Sequence, residues 1–200
     1  KNSPHNRNRI KTSRGPLYLT VPVRYKGHSR DLISEMRIAE NTRWNEKHLN
    51  SLRIHYARAR HYARYDEVLA GLYAASPDLL VEAQWPFIDW MRREFGITTP
   101  VHFSSRIPAP GRANEKLVGI IRHLGGTHFI VKPGTEEYHP PAFFRERGIE
   151  LRHLSYTPVR HEQLHGEFLP HLSAIDLLLN CGPLNLREFL AEQAKGGASA

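Results

Sequence analysis

The 200-residue chain carries a single cysteine, Cys181. It can form no internal disulfide, and the expected setting is a reducing cytoplasm. No apolar run approaches the roughly 18 residues that a membrane-spanning helix needs. No basic stretch followed by an apolar core marks a secretory signal. Acid is missing from residues 1–30, which hold eight Lys or Arg. Also missing are a Walker loop, a GxGxxG turn and Cys/His spacing of the zinc-finger kind, so the common phosphate, dinucleotide and zinc signatures are absent.

What is present fits a folded globular protein. Hydrophobic residues make up 40% and aromatics 10%, enough to bury a core without disulfides. The net charge is +8 and the pI about 9.8. A basic N-terminal third is either a solvated surface or a site for an anion such as a phosphate or a nucleotide. Few aromatics interleave with the basic residues, so no sequence-specific nucleic-acid partner is expected.

Hydrophobic period and punctuation give the elements. Residues 7–25 read as two strands around Ser13-Arg14-Gly15-Pro16, with Leu17, Leu19, Val21 and Val23 on one face. A strand is expected over 31–38. Thr42 is placed to cap a helix bearing Trp44, His48, Leu52 and Tyr56 on one stripe. Further helices are expected over 66–75 and from Ser76-Pro77 to Gly96, with Pro86 kinking or splitting the second. Beyond residue 98 the order is strand (99–104), helix (115–124), strand (128–131), helix (140–147), strand (149–156), helix (172–181). That alternation predicts an α/β single domain, with a mixed or largely parallel central sheet flanked by helices and a Rossmann-like layout as one arrangement of it. Residues 195–200 are expected to fray.

HEQLH at 161–165 matches the five-residue pattern that zinc peptidases carry on a helix. Pro158 and Gly166 leave room for about two turns, and no third ligand follows at family-type spacing. No metal is expected, and a zinc peptidase is the disfavoured reading.

Several segments together resemble the WbqC-like family of bacterial surface-polysaccharide clusters: NRNRIK at 6–11, LTVPV at 19–23, WNEKH at 44–48, FSS at 103–105, NEKLVGIIRHLGGTHFIVKPGTEEY at 114–138, GIELRHLSY at 148–156 and HEQLHGEFLPHLSAIDLLLNCG at 161–182. The resemblance puts the domain at residues 1–194. It implies that the family's opening QPxYFPxxGY-like segment is lacking here, and that Pro4 stands where Trp is frequent. Both histidines of HEQLH fall where the family is typically aromatic, and Gln163 is the matching position.

The resemblance implies a cytoplasmic transferase of O-antigen or other surface-polysaccharide precursors, with glycine or another aminoacyl group as the suggested cargo. A nucleotide-sugar or lipid-linked sugar precursor is then the expected partner, and no cofactor is expected. The alternative is a non-enzymatic basic module binding nucleic acid or a polyanionic glycan, which rests on the charge alone.

Individual residues add detail. Arg7, Arg9 and Lys11 fall on one side of an extended strand and Asn6 and Asn8 on the other, a set suited to phosphate or carboxylate recognition, or to structural ion pairs. Ser104, Ser105, Lys132, Gly134 and Tyr138 follow predicted strand ends, where ligands bind in α/β sheets. Arg7, Arg9, Ser104 and Tyr138 are expected to line one pocket. Gln163 and Asn180 complete the expected substrate-binding set. Asp176 and Asn180, one helical turn apart, are either satisfied core groups or a pocket wall. His48 lies on the apolar stripe, which favours a buried, hydrogen-bonded role over acid–base chemistry. No activated nucleophile–base pair is visible. His48, Ser104 and Asp176 are the catalytic candidates, and none is assigned.

Overall fold

A computed structural model describes residues 5–27, 31–154 and 158–196. The chain is mixed α/β, with seven α-helices and two small sheets among the described residues. It gathers into two compact units, one formed by Lys1–Thr98 with Pro158–Ala200 and the other by Thr99–Thr157. The strands are shared between a two-stranded antiparallel sheet in the first unit and a two-stranded parallel sheet in the second. No helix of the described residues is long and apolar enough to cross a membrane.

The first unit opens with a hairpin. Strand β1 (Arg7–Thr12) pairs with β2 (Gly15–Thr20) in the register Arg7↔Thr20 to Thr12↔Gly15. The Thr12 hydroxyl donates to the Gly15 carbonyl at 2.8 Å and accepts from the Arg14 amide, which fixes the tight turn. Helices α1 (Trp44–Tyr56), α2 (Tyr62–Ala74), α3 (Leu80–Glu94) and α6 (Ala174–Cys181) pack with it. Ile10, Leu52, Tyr56, Tyr65, Leu69, Trp90, Leu178 and Leu179 form the centre of their common core. Four of the buried positions of this core are tyrosines, and three of the four donate their hydroxyl to a carboxylate: Tyr56 to Asp176, Tyr62 to Asp66 and Tyr65 to Glu94. The fourth, Tyr73, differs.

The second unit is a small α/β module. Helix α4 (Ala113–His123) precedes β3 (His128–Val131), and α5 (Pro141–Arg145) connects β3 to the parallel strand β4 (Glu150–His153). Val118, Phe144 and Ile149 form its core, with Phe129 and Leu151 packed on them. The predicted strand over 149–156 is thus β4, and residues 155–157 lie outside the described set.

Some boundaries differ from expectation. Residues 31–38 hold a short 3-10 turn at Ile33–Glu35 and two isolated bridges, Val23↔Ile38 and Arg37↔Leu79, rather than a strand. Residues 99–103 form no strand, and Ser104–Arg106 is a 3-10 turn. Arg43, not Thr42, stands at the N-cap of α1 and adopts a left-handed conformation with φ 44°. Helix α3 starts at Leu80 and runs through Pro86 unbroken. Ala83, Phe87, Trp90 and Met91 bury the same face on both sides of that proline. Their packing offsets the roughly 3 kcal/mol that an interior proline costs. Helix α7 (Leu186–Gly196) escaped the pattern reading, although Asn185 marks its start. The Asn185 side chain accepts from the amides of Arg187 and Glu188, as an N-cap does, and donates to the Glu188 carboxylate.

Gly182 ends α6 at φ +82°, and a Cβ there would stand 2.7 Å from Cε1 of His61. We therefore expect Gly182→Ala to destabilise the protein by roughly 2–4 kcal/mol in urea unfolding, from backbone strain plus overpacking. A cost under half that would mean that the His61 ring moves aside freely.

Candidate functional site

A cavity of about 270 Å³ opens in the first unit. The hairpin supplies Asn6, Arg7, Asn8, Ile10, Leu19 and Val21, and α1 supplies Trp44 and His48. Tyr73 comes from α2, Gln84, Phe87, Ile88 and Met91 from α3, and Ser173 and Ile175 from the start of α6. Strand alternation explains the hairpin's share: Asn6, Asn8 and Ile10 repeat every second residue. Arg7 is the one charged residue among those that line it, and no carboxylate does. The cavity is slightly smaller than the range of about 300–1,000 Å³ typical of drug-sized ligands, which suits one sugar ring or a group of that size.

The cleft walls are tied down by polar contacts of their own. Asn6 donates to the Val21 carbonyl at 2.9 Å, and Gln84 donates to the His5 carbonyl. Ser173 caps α6 and donates its amide to the Arg9 carbonyl at 2.8 Å. His48, 7% exposed, donates from Nε2 to the Thr20 carbonyl at 3.1 Å. A carbonyl can only accept, so Nε2 carries the hydrogen. Burial pushes the His48 pKa down to about 4, and at neutral pH the ring is uncharged with its lone pair on Nδ1. The rings of Trp44 and Tyr73 stand edge-on to it at 5.3 and 5.9 Å.

Behind β1 lies a second cluster. Asp176 is 1% exposed, and its carboxylate accepts from the Tyr56 hydroxyl at 2.7 Å, from His161 Nε2 at 2.8 Å and from Gln163 Nε2 at 2.9 Å. Tyr56 in turn accepts the Lys11 amide at 2.9 Å. Burial, with Asp176 beside it, raises the Tyr56 pKa and keeps the phenol a donor. The Lys11 ammonium, also buried, donates to Gln163 Oε1 at 3.1 Å, to the Gly166 carbonyl at 3.3 Å and to the Glu167 carbonyl. Gln163 also exchanges two hydrogen bonds with the Leu169 backbone, at 3.1 and 2.8 Å. Asn180 donates to the Asp176 carbonyl at 2.7 Å.

The expected binding residues are thus divided. Asn6, Arg7, Asn8 and His48 meet at the cleft. Lys11, Gln163, Asp176 and Asn180 satisfy one another and nearby backbone instead. Arg9 donates to the His171 carbonyl at 2.7 Å, and the Arg7 guanidinium stacks 4.4 Å from the centre of the Tyr18 ring. Ser104, Ser105, Lys132, Gly134 and Tyr138 belong to the second unit, whereas every residue lining the cleft belongs to the first. There Lys132 and Tyr138 are exposed, Gly134 holds φ +76°, and the Tyr138 carbonyl accepts from Asn114 at 2.9 Å.

Residues 161–165 are irregular rather than helical, so the histidines of HEQLH do not share a helix face. His161 turns to Asp176, and His165 donates to the His55 carbonyl at 3.0 Å.

Residues 1–188 match the model of the WbqC-like protein family. The chain belongs to that family. A WbqC-like assignment agrees with a second similarity, to the Mycobacterium tuberculosis protein Rv1507c, described as uncharacterized. The two are 31% identical over 186 residues, covering 88% of this chain and 77% of that one. No solved structure matches the chain. The segments that carried the resemblance fall in both units: the residues of NRNRIK and WNEKH supply cleft wall, while HEQLHGEF supplies the loop that encloses Lys11.

Sequence reasoning missed Tyr73, Gln84 and Phe87 as cleft residues, because nothing local separates them from ordinary helix positions. It also missed Tyr56 and His161 as partners of Asp176, since those contacts span 120 and 15 residues.

Two outcomes are expected. The folded protein resists protonation at His48, while the unfolded chain takes up a proton near the ordinary value of 6.5. Stability from this group is therefore intact above pH 6.5 and lost as pH falls toward 4, by up to roughly 3 kcal/mol. Denaturant titrations across that window should show a steeper decline for the wild type than for His48→Gln. Parallel curves would contradict a buried neutral ring. Separately, Lys11→Met takes the cation away from three part-buried acceptors, of which Gln163 Oε1 keeps the Leu169 amide. It should cost roughly 2–4 kcal/mol in the same assay, and a neutral effect would mean that water replaces the ammonium.

Proposed function

We propose that the protein is a transferase that holds a sugar precursor in the cleft of the first unit and moves an acyl or aminoacyl group onto it. The observation that carries this reading is His48. It is neutral, its tautomer is set by the Thr20 carbonyl, and it stands in the wall of a cavity lined, apart from Arg7 and Ser173, by amides, aromatics and aliphatic groups. A neutral imidazole with a defined lone pair can accept a proton at Nδ1; burial makes it a weaker base than free imidazole and one that gives the proton up readily to a leaving group. Nδ1 takes the proton from the attacking amine or hydroxyl of the sugar as that atom adds to the acyl carbonyl carbon. The bond to the donor's leaving group then breaks, and the same proton passes to that group.

Trp44 and Phe87 offer apolar faces for a sugar ring, and Asn8 and Gln84 offer donors and acceptors for its substituents. Arg7 gives one fork for a phosphate of a nucleotide- or lipid-linked precursor. Membership of the WbqC-like family supports the choice of a carbohydrate-precursor setting, through the resemblance described above.

A basic binding module is less well supported. Of the three cations in the NRNRIK segment, Lys11 and Arg9 are committed to backbone carbonyls, which leaves Arg7, stacked on Tyr18, as a single fork at the cleft. A counterion-release surface needs such groups available to phosphates.

The test is a panel of nucleotide-activated amino sugars with acyl and aminoacyl donors, followed by mass spectrometry of the products. We expect saturable transfer to one acceptor class and a loss of turnover in His48→Gln of roughly 10²–10⁴-fold. Transfer that survives His48→Gln unchanged would remove the base. Salt-sensitive binding of any polyanion, without saturable small-ligand binding, would favour the module instead.

A further inference from the structure

Tyr73 is 8% exposed, and its hydroxyl makes no hydrogen bond to the protein, unlike the three other buried tyrosines of the same core. No fully buried side-chain nitrogen or oxygen among the described residues lacks a partner. The Tyr73 oxygen is therefore in reach of open volume, and Tyr73 is a cleft-lining residue. The same reasoning applies to His48 Nδ1, whose ring partner nitrogen is committed to Thr20. The two rings are perpendicular neighbours, 5.9 Å between centres at 89°.

We propose that the Tyr73 hydroxyl and His48 Nδ1 form a matched donor and acceptor that bind an uncharged carboxamide, such as the acyl-amino group of an N-acyl amino sugar. The argument is one of elimination by chemistry. No carboxylate lines the cleft to hold a free ammonium. A carboxylate or phosphate in its interior would meet the lone pair of His48, a like-signed site. A bare polyol would find polar partners in Asn6, Asn8 and Gln84 but would leave the apolar wall of Ile10, Leu19, Val21, Phe87, Ile88 and Met91 without an apolar group to cover it. A carboxamide presents one N–H and one C=O on adjacent atoms and an apolar acyl substituent. The N–H suits Nδ1, the C=O suits the phenol, and the acyl group suits the aliphatic wall.

This rests on the cleft being the ligand site of the proposed transferase: the carboxamide is its N-acylated product, held once Nδ1 has passed its proton to the leaving group, and Tyr73 gains a binding role that pattern reading did not suggest. Desolvation raises the Tyr73 pKa, so the phenol keeps its proton for donation across the working pH range.

The experiment uses N-acetylglucosamine as the probe, with glucosamine and glucose as controls, in ligand-observed NMR titrations of the whole protein. We expect the wild type to bind N-acetylglucosamine in preference to both controls. Tyr73→Phe should weaken that binding about three- to tenfold, the loss of one net hydrogen bond, without lowering the melting temperature. Equal binding by wild type and Tyr73→Phe, equal binding of glucosamine, or no binding of N-acetylglucosamine would each overturn the inference. Ile88→Trp separates its failure from that of the cleft reading. Ile88 lines the cleft but is 45% exposed, so a larger ring there obstructs the space without loading the core. Binding that Ile88→Trp leaves unchanged lies elsewhere and overturns both. Binding that Ile88→Trp abolishes and Tyr73→Phe leaves intact keeps the cleft and removes the carboxamide pair.

Discussion

The Asp176 carboxylate holds the first unit together at the point where its pieces meet. It is buried on a short apolar helix, a position that is costly for an ion unless donors surround it. Three donors do, from two distant parts of the chain: Tyr56 from α1, and His161 and Gln163 from the loop before α6. Through the Tyr56 hydroxyl the same carboxylate reaches the Lys11 amide and so the outer edge of the hairpin. Ser173 closes the next backbone position along that edge by donating to the Arg9 carbonyl. An edge strand that would otherwise offer unpaired groups to solvent is covered by a side chain and a helix start.

That seating decides which side of the strand meets the cleft. With Lys11 drawn into the loop of residues 163–167 and Arg9 onto His171, two of the three cations are turned to protein, and Asn6, Asn8 and Ile10 form cleft wall with Arg7 beside them. The result is a cavity of low charge in a protein of net charge +8. In the proposed transferase, long-range attraction of an anionic precursor and recognition of its neutral part would be separate tasks, the first belonging to the surface as a whole and the second to His48, Tyr73 and the amides.

Much of this was legible in the sequence, for identifiable reasons. The hairpin carried its own turn chemistry, and α4, β3 and α6 carried strong periodicity bounded by glycines. His48 stood on an apolar helical stripe, so its burial followed from spacing. The alternation of NRNRIK put Asn6 and Asn8 on one face of β1 and Arg7, Arg9 and Lys11 on the other, but it did not say which face meets the cleft, where Arg7 joins the asparagines. That depended on the Tyr56–Asp176 contact, 120 residues apart, which no local pattern encodes. The irregular segments at 31–38 and 99–103 have strand-like composition, but among the described residues only isolated bridges or turns form there. HEQLH was a match of letters without the helix that gives the letters their meaning.

The most direct test of this account is native-state hydrogen exchange at the Lys11 amide, the one backbone group that links the hairpin to the buried carboxylate through the Tyr56 phenol. The account predicts that this amide exchanges in the wild type only by global unfolding. In Tyr56→Phe it should open locally, while interior amides of α3 keep their protection. Rapid exchange of the Lys11 amide in the wild type, or full protection retained in Tyr56→Phe, would contradict the claim that Asp176 seats the hairpin.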